Sequence, residues 1–149
     1  MIARKKTWLT YSLVIATALS LNLAATCHHG TPKSDTVLNI KILTTSVDAF
    51  QQGETTLFNS KTIPALTLDR HKAFNGKVVE VVDAITAALD ACDAWRPGQP
   101  VPPQLGPIMS KIKILLDTSS DVIGVALPKE YIAVWDALTQ VAFITGGLV

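Results

Sequence analysis

The sequence predicts an all-α protein, a small bundle of about four helices behind an N-terminal signal peptide or membrane anchor. Three observations carry this reading. Apolar residues recur at three- and four-residue spacing in four separate segments. Stretches containing proline or glycine, around 59–64, 96–104 and 128, part those segments and are poorly tolerated inside regular helix. The first 26 residues follow a different pattern, a basic cluster and then a charge-free run. The expected organisation is a leader or anchor at 1–26, a polar tether at 27–34 and a helical bundle domain at 35–149.

Arg4, Lys5 and Lys6 form the basic cluster, and Thr7 to Thr26 carry no charge. A basic start, an apolar middle and small residues after it make up a secretory signal, with the cations on the cytoplasmic side. As a helix the charge-free run would span roughly 30 Å, so it is also long enough to stay as an anchor. Thr10, Ser12, Thr17, Ser20 and Asn22 interrupt its apolar character and favour the cleaved signal. Leu23-Ala24-Ala25-Thr26-Cys27 resembles a lipoprotein signal, which makes Cys27 the candidate lipidation residue. Two departures weaken that resemblance. Thr26 stands where a smaller residue is usual, and Leu23 lies one place early. Ordinary cleavage near Ala24-Ala25-Thr26 is the competing reading.

The first helix is expected from Ser34 or Asp35, either of which can cap it. Val37, Ile40, Leu43, Val47 and Phe50 make its stripe. Leu38, Ile40 and Ile42 also alternate as a strand would, but the helical stripe is longer. Gly53 weakens the helix before Leu57 and Phe58, and Asn59 to Pro64 read as its exit. A second helix is capped by Thr67, with Asp69 in its positive first turn. Phe74, Val78, Val81, Val82, Ile85, Leu89, Cys92 and Trp95 form its apolar face, and Arg96-Pro97-Gly98 stops it. Three prolines between Pro100 and Pro103 require an extended connection. Pro107 suits the start of a third helix, whose stripe runs through Ile108, Ile112, Leu115, Val122 and Ala126. Met109, Leu116 and Ile123 lie alongside, and Thr118 to Asp121 form a candidate break. Pro128 ends this helix and suits the first turn of a fourth, marked by Tyr131, Trp135, Leu138 and Ala142. Gly146-Gly147 is its expected stop, with Leu148 folding back. Ala137 to Val149 is uncharged but too short to cross a bilayer, and reads as a helix packed in the core.

Chemistry-bearing patterns are sparse. The 149 residues are 48% hydrophobic and 17% charged with a net charge of +1, too apolar for disorder and lacking a basic surface for nucleic acid. Loss of the leader's three cations takes the net charge to −2. Cys27, His28, His29, His71 and Cys92 are the soft or imidazole ligands beyond the leader, and they show no metal-binding spacing. No metal or cofactor is therefore expected. His71, beside Asp69 and Arg70, is expected to be exposed. Glu80, Asp83 and Asp90 read as a solvated face rather than an acid–base pair. Trp95, Trp135 and Tyr131 are candidates to line a ligand cavity, and core packing is the plainer reading for them. Cys92 reads as a buried thiol.

These patterns point to an exported protein of the cell envelope or periplasm, attached to the membrane through its N-terminus. A non-enzymatic structural or interaction module, with a protein partner and no nucleic acid, fits them best. The alternatives are a membrane-active pore or lysis accessory protein, and a small-ligand carrier using a bundle cavity.

Overall fold

The computed structural model describes residues 30–124 and 126–149. The proposed leader and residues 27–29 of the proposed tether, Cys27 among them, lie outside them. The described residues form four α-helices and no strand: α1 (Pro32–Ser60), α2 (Leu68–Ala94), α3 (Leu105–Ile123) and α4 (Lys129–Gly146).

Side-chain contacts fix the topology. Lys33 donates to the Trp95 carbonyl at one end of α1 and α2, and Glu54 meets His71 at the other. Those two helices therefore run antiparallel. Phe50 packs on Trp135, and a side chain at Gly53 would stand 3.6 Å from the Tyr131 ring, so α4 is antiparallel to α1. Trp135 Nε1 donates to the Leu116 carbonyl at 2.7 Å, and a side chain at Gly146 would stand 3.6 Å from Met109. These contacts reverse α3 against α4. Each helix packs on two others, α1 and α3 both lying between α2 and α4. The result is an up-down-up-down square bundle, as short connections favour.

The helix ends show why each element sits where it does. Thr31, not Ser34 or Asp35, caps α1. Its hydroxyl accepts from Ser34 N, and Pro32 supplies a preset φ in the first turn. Helix α1 therefore begins inside the expected tether and runs unbroken past Gly53 to Ser60. Lys61 ends it in a left-handed conformation, φ 53°, while its N–H reaches the Phe58 carbonyl. Thr67 caps α2 as expected, with its hydroxyl accepting from Arg70 N. Gly98, at φ +77°, turns the chain after α2. Helix α3 begins two residues before Pro107, which remains in the first turn, where its missing N–H costs no bond. Thr118 to Asp121 do not break α3. The Thr118 and Ser119 hydroxyls return to carbonyls one turn back and leave the ladder intact. Ala126 lies beyond the end of α3 yet is buried in the turn. Pro128 stands at the N-cap position of α4 without a side-chain cap bond, and Gly147 ends the helix in a right-handed conformation rather than the left-handed one expected of a glycine stop.

The core follows the stripes closely. Ile40, Leu43, Val47 and Phe50 on α1, and Tyr131, Trp135, Leu138 and Ala142 on α4, are all at most 1% exposed. Leu38 is half exposed while Ile40 is fully buried, which a helix explains. Phe50, Phe74, Tyr131 and Trp135 meet at the centre, with ring centroids 4.6–6.0 Å apart at tilted or edge-on angles. The Phe74–Trp135 contact crosses the diagonal of the square, so these rings fill the bundle axis there. Periodicity overestimates burial at Val82 on α2, which is exposed; Phe143 on α4, outside the expected stripe, is exposed as well.

Candidate functional site

Toward the end of the bundle where α1 and α2 are joined, the apolar stripe of α1 is interrupted by an acid. Glu54 stands four residues after Phe50 and three before Leu57, so helical geometry turns it inward with them. Its side chain is 0% exposed. On α2, His71 precedes Phe74 by three residues and is turned toward the same seam. Both Glu54 carboxylate oxygens lie against His71 Nδ1, at 3.0 and 2.9 Å. The imidazole is 17% exposed rather than open to solvent, which corrects the expected exposure of His71.

Neighbours hold this pair in place. Asn75 Nδ2 donates to the His71 carbonyl at 2.9 Å and lies beside the ring nitrogens. Gln51 Nε2, from α1, donates to Asn75 Oδ1 at 2.6 Å. Phe58 stacks on the imidazole, with centroids 4.1 Å apart and planes 3° from parallel. The contacts Gln51–Asn75 and Glu54–His71 thus cross-link α1 to α2 twice within one helical turn. Every fully buried side-chain polar atom among the described residues has a partner.

Burial pushes the Glu54 carboxyl above its ordinary range, and the His71 hydrogen bond and charge pull partly back. A carboxylate bound to Nδ1 also orients a histidine in nucleophilic triads. Here the hydrogen-bond partners of the imidazole among the described residues are Glu54 and Asn75, so neither a hydroxyl nor a thiol stands at its other nitrogen. The arrangement can hold a proton and fix the register of two helices.

The residues singled out by sequence are not brought together. Cys27, His28 and His29 lie outside the described residues. Cys92 is fully buried, and desolvation raises its thiol, with Lys33 opposing that shift. Trp135 and Tyr131 are locked in the aromatic centre. Trp95 lies 21 residues beyond Phe74, the α2 partner of Trp135, or roughly 30 Å along the helix. Its indole N–H is occupied by the Gln99 carbonyl at 3.0 Å. The three aromatics therefore do not line one cavity. Glu80, Asp83 and Asp90 are exposed, as expected of a solvated face. Among the described residues no group of three or more His, Cys, Asp or Glu side chains is placed to hold a metal ion.

Sequence reasoning missed Glu54, although a signal for it was present. A carboxylate at a stripe position, flanked by Phe50 and Leu57, must either distort the helix or find a buried partner. The partner's identity was not readable, because His71 lies 17 residues away and meets Glu54 only after the helices pair.

Compared with known proteins, the chain matches no family model, no curated protein and no solved structure.

Proposed function

We propose that this is an exported, non-enzymatic structural or interaction module of the cell envelope, held at the membrane through its N-terminus, with Cys27 as the lipidation residue. The observation that supports this best is the use made of the described side chains. The central rings pack on one another, and the buried ionisable pair cross-links two helices. A scaffold needs such features, and its function then resides on its outer surface. The basic cluster, charge-free run and Leu-Ala-Ala-Thr-Cys segment support delivery to a membrane. The pore-forming alternative requires further spanning helices. Among the described residues no helix is long and apolar enough to cross a membrane.

The test is fractionation of cells expressing the full chain, followed by intact mass measurement of the membrane-bound protein. A mass lacking residues 1–26 and carrying acyl groups is expected. Full-length protein recovered from the cytosol overturns export, and a cleaved mass without lipid overturns the role of Cys27.

A further inference from the structure

The two ends of the bundle differ, and the difference matches the direction from which the N-terminal segment arrives. Residues 27–31 join the charge-free run to α1. Five residues reach at most about 17 Å, so whatever holds the N-terminal segment lies close to the end containing the start of α1. The contacts that set the topology place the end of α2, the start of α3 and the end of α4 at this same end.

Two open recesses lie on the flanks of this end. One, of about 430 Å³, runs along the first turns of α1 and is lined by Thr31, Lys33, Ser34, Val37, Leu38 and Lys41. The other, of about 330 Å³, lies between α3 and α4, where Met109, Ala142 and Phe143 sit beside Ser110 and Lys113. Each combines apolar wall with ammonium groups. Lys33 is engaged with the Trp95 carbonyl and Lys113 with Asp117, whereas Lys41 is exposed and makes no ion pair among the described residues. Phe143 is 61% exposed and Leu38 50%, although both sit beside well-buried stripes.

Charge follows the same axis. The half of the bundle nearest the N-terminal segment comprises residues 30–45, 82–113 and 140–149. It carries five basic and four acidic residues, while the remaining half, 46–81 and 114–139, carries five basic and eight acidic. The acidic end therefore points away from the attachment point.

We propose that this end of the bundle docks on an anionic phospholipid surface, with Phe143 and Leu38 reaching the headgroup boundary and Lys41 facing lipid phosphates. The inference rests on the membrane-attached reading above and goes further by fixing which end faces the bilayer. Interfacial seating of exposed apolar side chains flanked by cations adds a second contact to a single N-terminal attachment.

The test uses the full chain reconstituted with vesicles containing brominated acyl chains, made with or without phosphatidylglycerol. F143W reports the proposed surface, and L68W, at a residue 51% exposed on the opposite end, is the control. Quenching of the unsubstituted protein is subtracted, and circular dichroism checks that both variants fold. The expected result is co-flotation with vesicles, stronger quenching for F143W than for L68W, and loss of that difference without phosphatidylglycerol. Co-flotation with equal quenching overturns the docking and leaves N-terminal attachment standing. Preferential F143W quenching that ignores lipid charge overturns the anionic partner. Failure to co-float overturns both readings.

Discussion

Removing the imidazole beneath Glu54 tests the reading of the buried pair most directly. In His71→Ala the carboxyl loses its hydrogen-bond donor while remaining 0% exposed. Deleting one partner of a buried ion pair typically costs about 3–5 kcal/mol. Two features place this site at or below the lower end of that range. His71 is itself 17% exposed, and the acid can neutralise itself by taking up a proton. For a domain of this size about 3 kcal/mol corresponds to a fall in Tm of roughly 10–15 °C. The pH dependence isolates the cause. Because the folded state raises the Glu54 pKa, it binds that proton more tightly than the unfolded chain does. The stabilisation from this group is fully present below the unfolded carboxyl value, about 4.3, and is lost as pH rises through the higher folded value. Glu54→Gln removes the titration. Urea unfolding of wild type and Glu54→Gln across pH 4 to 8 should therefore show a difference that shifts in favour of the glutamine variant as pH rises. The cost of His71→Ala should grow over the same interval. A wild-type minus Glu54→Gln difference that is flat with pH, or grows in favour of wild type, would refute the assignment of a raised, buried carboxyl.

Three further outcomes follow from the packing. Trp135→Ala should cost about 3–5 kcal/mol in denaturant unfolding, since it empties the aromatic centre. Trp135→Phe keeps an aromatic ring and loses only the indole N–H bond to the Leu116 carbonyl, which retains its helical bond, and a cost as large as that of the alanine variant would contradict the packing role. Thr67→Ala should lose about 1 kcal/mol through the α2 cap, measured by the same unfolding curves, and Thr67→Ser should retain most of it. The Cys92 thiol should react with a thiol reagent only under unfolding conditions, because it is buried and its pKa is raised. Rapid labelling of Cys92 in the native protein would show that this end of α2 opens.

The legible part of the architecture was the part encoded locally. Thr67 and the Phe74–Val78–Val81–Ile85 stripe are readable because a cap and an apolar period act within a single helix. Helix boundaries were less so. Thr31 outcompeted Ser34 at the start of α1 because Pro32 presets the first turn, and both residues had looked like tether. The Thr118-Ser119-Ser120 segment looked like a break, yet the Thr118 and Ser119 hydroxyls found carbonyl acceptors inside the helix.

By itself, then, the sequence determined the all-α class, the four amphipathic stripes and the contrast between a charge-free N-terminal run and a charge-broken remainder. All of these are periodicities or local propensities, which act over a few residues of one chain segment. The tertiary structure alone decided that Glu54 would be answered by His71, that Trp95 and Trp135 would lie roughly 30 Å apart along the bundle, and that Lys41 and Phe143 would share one end. Those outcomes depend on which helix faces meet and in which direction. That is set by packing the aromatic centre and satisfying buried polar groups across segments far apart in the chain.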